Sequence, residues 1–552
     1  MKQFTKICII TIISVLSLGG CSTGSSDMTT SELPGSAELK NSETPEDLNI
    51  IDDNYRTYYE VYLGSFYDSN SDGIGDLQGL IQKLDYINDN DETTDTDLGC
   101  NGIWLMPIMP SPTYHKYDVT DYYDIDPQYG TLNDFKQLMD ECNQRGIKLI
   151  IDFVLNHTSS KHPWFIESIE YVKSLSEEEL DYSVCPFAEY YNFSKDTKGK
   201  DGWYQVGSTD WYYEAQFTST MPDLNLDSEA VRDEIKKIAA FWMELGVGGF
   251  RLDAAKEYYS GNNNKNVELL RWFHEYVTSI DKDCYLVAEV WDSIGTIAQY
   301  YESGIDSVFN YYYGSPEGKI PNLVNQLGKN KAGKSLGKVM KSMQDTLSVR
   351  NASYIDASFL SNHDNDRCIR YVGNDMNKMK LMAGINLCMS GSSFLYYGEE
   401  IGLSGSGRDE NKRGPMYWSD IDTTGITTGP AAMEDQTNLY QPVDEQIKDS
   451  HSLLNYYIRA IRLRNENPEL ARGTIEILEG IEDGDLCGIQ KTYNGETIYL
   501  LYNMSDQEKT LDLSSLKINF ERIKGALLVE DRQPTIQDKT ITLPPYSIIV
   551  LK

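Results

Sequence analysis

The chain is poor in positive charge: 49 Lys and Arg stand against 85 Asp and Glu, a formal net charge of −36. Such a surface repels phosphate backbones and anionic headgroups, which argues against nucleic acid, or a membrane held by charge, as the partner. Histidine is scarce, with six in 552 residues. Cysteine offers neither a CxxC pair nor a zinc-type spacing. Apart from Cys8 and Cys21, cysteines stand at Cys100, Cys142, Cys185, Cys284, Cys368, Cys388 and Cys487, an odd number with no close pairing. Those in strands or helices read as small buried apolar groups. Long apolar runs are lacking beyond the first twenty residues, so nothing there reads as a bilayer-spanning helix.

The one apolar run, residues 7–18, follows Lys2 and Lys6 and is too short to span a bilayer. It reads as a signal peptide over residues 1–20. The run ends in Leu18-Gly19-Gly20-Cys21, which resembles the bacterial lipobox. Cys21 is therefore expected to be the lipidated first residue of an exported protein, anchored to the cell membrane or outer membrane. Residues 21–50, rich in Ser, Thr, Glu and Gly and almost free of aromatics, read as a flexible tether.

What the chain does have is a series of apolar stretches that end in acids. Gly248-Gly249-Phe250-Arg251-Leu252-Asp253 delivers a cation and a carboxylate together, Leu286-Val287-Ala288-Glu289 a glutamate, and Phe359-Leu360-Ser361-Asn362-His363-Asp364 a histidine and an aspartate. One strand-end acid is usually a helix cap or half of an ion pair. Three at the ends of three strands are a constellation. Between them the pattern is helical: Val231, Ile235, Ile238, Ala239, Trp242 and Leu245 recur at helical spacing, and Gly246 supplies the stop. Strands read at 57–63, 102–107, 148–155, 249–253, 285–291, 306–311, 358–364 and 393–398 number about eight. Eight apolar strands alternating with helices predict an α/β fold, a (β/α)8 TIM barrel whose strand C-termini open on one face. That face would gather Tyr117, Asp118, Asn156, His157, Arg251, Asp253, Glu289, His363 and Asp364.

The segments Asp152-Phe153-Val154-Leu155-Asn156-His157, Gly249 to Ala254, Glu289-Val290-Trp291 and Asn362-His363-Asp364 resemble, in order and spacing, the signatures of glycoside hydrolase family 13, the α-amylase family. The resemblance covers nearly all of the chain after the tether. It implies Asp253 as nucleophile, Glu289 as general acid and base, and Asp364 as the carboxylate that grips hydroxyls of the distorted sugar. It further implies that Arg251 holds Asp253 ionised, that His157 and His363 hydrogen-bond glucose, that Tyr117 stacks on the ring, and that Asp118, Lys256 and Arg413 also belong to the substrate site. Such chemistry needs two carboxyls about 5 Å apart with divergent pKa values. Arg251 would favour the Asp253 anion, while apolar Ala288 and Val290 and nearby carboxylates would keep Glu289 protonated. The implied substrate is an α-glucan or malto-oligosaccharide cut at α-1,4 bonds. Exo-acting α-glucosidase, oligo-1,6-glucosidase, neopullulanase and 4-α-glucanotransferase activities stand as alternatives. A non-catalytic glycan-binding lipoprotein is disfavoured, because all three carboxylates are present.

The domain reading follows. Residues 51–157 and 224–470 form the barrel, residues 158–223 an aromatic-rich domain B inserted after the third strand, and residues 471–552 an antiparallel β-sandwich with a hairpin at Tyr493-Asn494-Gly495-Glu496. Asp68, Asn70 and Asp72 place oxygens at alternate positions beside Gly73 and Gly75, the donor pattern that Ca²⁺ takes. Position 79 is Gly where an EF-hand needs its bidentate Glu, but family members bind Ca²⁺ in this loop, which implies one site at Asp68, Asn70, Asp72, the Ile74 carbonyl and Asp76. Bond specificity is mixed. Ala254 resembles α-1,4 enzymes, whereas Asp118 and Arg413 match a pair that closes the cleft in exo-acting relatives. The acidic insert 88–97 departs from the usual short connection.

Overall fold

A computed structural model describes residues 53–91, 94–175, 179–434 and 436–552. The signal peptide, the tether and Cys21 lie outside the described residues. The barrel strands, in chain order, are Thr57–Val61, Gly102–Leu105, Lys148–Phe153, Gly249–Leu252, Tyr285–Ala288, Ser307–Val308, Ala357–Phe359 and Ser392–Tyr396. They form one parallel sheet in cyclic order, with the eighth strand paired to the first. A parallel bridge between Phe309 and Ala357 closes the sixth strand onto the seventh. The architecture is the expected TIM barrel.

The strands stop short of where apolar runs would carry them. The first ends at Val61, and Leu63–Ser65 turn into a 3-10 helix; the fifth ends at Ala288 and the seventh at Phe359. Apolarity persists past the last ladder bond because the rim is buried by the loops above it: Val290 and Leu360 are fully buried. Consequently Asp253, Glu289 and Asp364 stand just beyond the sheet, on loops fixed by it.

The helix read around Val231 spans Glu229–Glu244, capped where the Ser228 hydroxyl accepts from the Val231 N–H. Its buried face is Val231, Ile235, Ile238, Ala239 and Trp242, the set given by the 3.6-residue period. Gly246, at φ +99°, ends it. Across the barrel wall, Gly249 lies so close to the fifth strand that a Cβ there would sit 2.1 Å from the Tyr285 carbonyl oxygen. Glycine is required at that position by contact, not by dihedral angle.

Between the third and fourth strands come the helix Pro163–Ser174 and a three-stranded antiparallel sheet of Phe193–Ser194, Tyr212–Glu214 and Trp203–Gln205. After the barrel, a five-stranded antiparallel sheet and a three-stranded one share a core of Leu501, Ile541, Leu543, Ile549 and Leu551. The hairpin turn falls at Asn494 and Gly495, both with positive φ, between strands Leu486–Tyr493 and Glu496–Asn503. Two buried cations sit at the junction of this unit with the barrel. Lys491 donates to the carbonyls of Cys388 and Leu470 and to the Ser390 hydroxyl. Arg464, on the helix Leu453–Glu466, donates to the carbonyls of Leu387, Met389 and Gly391. The acidic insert folds on itself, Asp89 accepting from the hydroxyls of Thr94 and Thr96, and Asp95 pairs with Arg462 on that same helix. All seven described cysteines are buried free thiols.

Two glycine substitutions separate contact from conformation. Gly249→Ala should destabilise by about 3 kcal/mol or more, since a backbone atom of the next strand must move. Gly295→Ala, exposed in the helix Ile294–Tyr300 with only the Ser293 hydroxyl near, should raise stability by about 0.5 kcal/mol. Urea unfolding of both variants checks this, and equal effects would contradict it.

Candidate active site

The site is built around one buried guanidinium. Arg251 points into the barrel from the fourth strand and is 1 % exposed. Its Nη1 donates to Asp253 Oδ1 at 2.6 Å and to Asp152 Oδ1 at 2.7 Å, and its Nη2 donates to Glu289 Oε2 at 2.7 Å. The plane lies over the Trp104 ring, 5.4 Å from its centre. Trp104 Nε1 and the Tyr117 hydroxyl both donate to Asp152 Oδ2. A second cluster faces the first across Tyr117. His363 places Nδ1 2.6 Å from Glu60 Oε1 and Nε2 2.7 Å from the Tyr117 hydroxyl and 3.1 Å from Asp364 Oδ2. Its ring stacks on Tyr117 at 5.5 Å. Arg413 Nη2 reaches Asp364 Oδ1 at 3.2 Å, and its Nη1 donates to the Tyr114 hydroxyl.

These groups open onto a cavity of about 400 Å³ that takes in Tyr117, His157, Asp253, Glu289, Asp364 and Arg413. Lys256 lies on its wall too, drawn aside by Asp292 at 2.8 Å. His157 is buried, and its Nε2 has no hydrogen-bond partner among the described residues. Burial lowers its pKa to about 4, so it is neutral at ordinary pH. Phe217 and Trp291, each 50 % exposed, complete the apolar wall. Ala254 takes the left-handed φ of 48°, and its N–H donates to Glu289 Oε2 at 2.9 Å.

The electrostatics correct one expectation. Arg251 does not serve Asp253 alone; it grips Glu289 as firmly. Burial raises the pKa of Asp253 and of Glu289, Arg251 opposes this at both, and the neighbouring acids raise it again. Burial likewise lifts Asp152 to about 7 against the pull of Arg251. One guanidinium cannot neutralise three buried carboxylates, so the cluster retains a proton. Glu289 lines the cavity, and only its Oε2 is bonded among the described residues, by Arg251 and the Ala254 N–H. Asp364 differs. Burial would raise its pKa, but His363, Arg413 and Arg251 hold it well below the usual carboxylate range.

Asp118 and Arg413 do not pair: Asp118 accepts from the hydroxyls of Ser111 and Thr113, while Arg413 turns to Asp364 and Tyr114. Local hydroxyls satisfy Asp118, and the stronger field of Asp364 claims the cation. Asp152 and Glu60, meanwhile, were assigned no role from sequence. Each is an acid within a buried strand, Asp152 opening the Asp152-Phe153-Val154 run and Glu60 within Tyr58-Tyr59-Glu60-Val61, and both are at most 1 % exposed. An acid inside a fully buried strand demands a partner, and that was the available signal.

The loop 68–76 contributes nothing to the cavity. Asp68 accepts from the N–H groups of Asn70, Ser71 and Gly73, Asn70 from Asp72, Asp72 from Ile74, and Asp76 from Gly79 and Ser69. The loop is tied to a distant segment by Asp68 N–H to the Gly425 carbonyl and Thr428 N–H to the Gly73 carbonyl. Its donors are all oxygen, the type that suits a hard cation. Among the described residues, no three Asp, Glu, His or Cys side chains converge as a metal site, so any cation here depends on the Asn70 amide and the Ile74 carbonyl as well.

The geometry agrees with the comparisons. The α-amylase catalytic domain family matches residues 60–473, and the chain belongs to it, as an α-amylase-family glycoside hydrolase. It is 37 % identical to α-amylase 3 of Dictyoglomus thermophilum over 90 % of this chain and 92 % of that protein. It is 29 % identical to an oligo-1,6-glucosidase of Parageobacillus thermoglucosidasius over 81 % and 90 % of the two chains. Among solved structures, Amy13B of Eubacterium rectale superposes with a TM-score of 0.86 at 45 % identity, covering 92 % of this chain and 97 % of that one.

Proposed function

We propose that the protein hydrolyses α-1,4-glucosidic bonds of starch and maltodextrins with retention of configuration. The observation that carries this reading is the single guanidinium that grips two carboxyls at the edge of one cavity. A shared grip keeps them close, which fits the ~5 Å spacing of retaining enzymes better than the ~6.5–9.5 Å that inverting ones need to admit a water. Asp253, its Oδ1 held by Arg251, attacks the anomeric carbon through its other oxygen. Glu289 gives its proton to the leaving oxygen, then takes one from the water that releases the glycosyl-enzyme. Asp364 accepts from sugar hydroxyls, neutral His157 hydrogen-bonds the glucose, Tyr117 lies along its face, and His363, its nitrogens taken up by Glu60, Tyr117 and Asp364, acts on the sugar through them. Arg413, beside Asp364, and Lys256 bound the same pocket. The higher identity to the relative named α-amylase than to the one named oligo-1,6-glucosidase favours the α-1,4 bond. The separation of Asp118 from Arg413 gives no support to exo action.

Asp253→Asn or Glu289→Gln should lower kcat on soluble starch by several orders of magnitude while the far-UV spectrum stays unchanged. Maltose or longer products should appear first as the α-anomer. Early β-anomer in proton NMR would exclude the double displacement, and product analysis on maltoheptaose, pullulan and isomaltose fixes the bond.

We also propose one Ca²⁺ site in the loop 68–76. Asp68, Asn70, Asp72, the Ile74 carbonyl and Asp76 would hold the ion, whose part would be to tie the loop and the 425–428 segment together, apart from the chemistry. A cation bound only by the folded loop stabilises by mass action. EGTA should lower the melting temperature of the wild type, and Asp72→Ala should lower it similarly and abolish the response. A wild type indifferent to EGTA would overturn the site.

Export and anchoring rest on the Leu18-Gly19-Gly20-Cys21 motif and the polar stretch after it. We infer that Cys21 carries lipid on a membrane facing the external substrate. Cys21→Ser should move the enzyme from the membrane to the soluble fraction; a variant still wholly in the membrane fraction would contradict this.

A further inference from the structure

The hydrogen bonds around His363 can be counted proton by proton. The Tyr117 hydroxyl has one proton and gives it to Asp152 Oδ2 at 3.0 Å, Asp152 being held as an acceptor by Arg251, whose Nη1 protons go to Asp152 and Asp253. It has no second proton for His363 Nε2, 2.7 Å away, so that nitrogen must donate. Nε2 also lies 3.1 Å from Asp364 Oδ2, another acceptor. The opposite nitrogen, Nδ1, meets Glu60 Oε1 at 2.6 Å. An imidazole between two such acceptors carries two protons as long as Glu60 is ionised; burial raises the Glu60 pKa and the His363 partner lowers it again. Glu60 itself is 1 % exposed, within the first strand and 303 residues away in sequence. Among the described residues its Oε1 is bonded by His363 alone, whose backbone N–H also reaches it at 3.4 Å.

We propose that Glu60 is a positioning residue: by holding Nδ1 it keeps His363 an imidazolium, and His363 in turn fixes the Tyr117 hydroxyl and the Asp364 carboxylate along the cavity wall. The inference rests on the reading of Tyr117 and Asp364 as sugar-binding groups, but the proton count does not.

Other charges also face His363. Asp364 stands on its own segment, Tyr117 and Trp104 flank the ring, Asp152 and Asp253 feel its charge from the third and fourth strands, and Arg251 acts on Glu60. Arg413 reaches it only through Asp364. Burial works against the charged ring, yet Asp364 and Glu60 raise its pKa to about 9. The sign follows. The imidazolium persists through neutral pH and is lost as pH rises through about 9; without the Glu60 charge it is lost at lower pH.

The test is Glu60→Gln, which keeps an acceptor and removes the charge. In the full chain with ¹⁵N-labelled histidine, the His363 resonance, assigned with His363→Gln, should titrate near pH 9 in the wild type. In Glu60→Gln its midpoint should fall by about one unit or more. The alkaline limb of kcat/KM on maltoheptaose should move down with it, a shift that a merely structural defect would not produce. Glu60→Asp, which keeps the charge one methylene farther off, should give an intermediate midpoint and serves alone if Glu60→Gln fails to fold. An unmoved His363 midpoint in either folded variant would overturn the inference. A wild type that leaves maltoheptaose intact would instead refute the proposed function, with the resonance still reporting on Glu60.

Discussion

The site depends on one buried cation. Arg251 has left water entirely, at a desolvation cost of several kcal/mol, and recovers it only because Asp152, Asp253 and Glu289 all lie within hydrogen-bond reach. The dependence runs both ways. Without Arg251, three carboxyls would share an apolar pocket under Trp104 and would have to take up protons. Asp152 is the partner that never meets the cavity, and it lets the other two share the cation without being consumed by it. The excess of negative charge over this single guanidinium raises the pKa values of the carboxyls that share it.

The barrel makes such an arrangement cheap in chain entropy. Glu60, Trp104, Asp152, Arg251, Glu289 and His363 come from six different strands or strand ends, yet each is placed by a ladder that would form without it. Parallel strands run in register, so their C-terminal ends share one rim. The loops need only turn outward there. Ala254 alone shows a strained dihedral among the residues at the carboxyls, and its strain directs an N–H at Glu289.

Much of this was legible in the sequence, and the part that was not has a common cause. Eight strands, the amphipathic helix at Val231 and the acids Asp253, Glu289 and Asp364 could be read because each is written in one contiguous segment. The strand ends were overestimated where buried rim residues such as Val290 and Leu360 continue the apolar pattern without a ladder. Partners were not legible. That Arg251 reaches Asp152 and Glu289 as well as Asp253, that Arg413 bonds Asp364, and that Glu60 serves His363 are relations between positions tens to hundreds of residues apart. No periodicity records them. The side chains of the oxygen-rich loop 68–76 accept from backbone N–H groups two and three residues on, a purely local pattern.

Lys491 gives the terminal sandwich a meaning beyond its own fold. The backbone that leads into the eighth strand carries carbonyls at Leu387, Cys388, Met389 and Gly391 that point away from the ladder and are bound by Arg464 and Lys491. Arg464 is the barrel's own, but Lys491 is on loan from the next unit. A barrel cut free near residue 471 would lose the Lys491 donor from the Cys388 and Leu470 carbonyls. The two units are therefore not interchangeable modules: a sandwich transplanted from another relative could close this barrel only if it brought its own ammonium to the same spot.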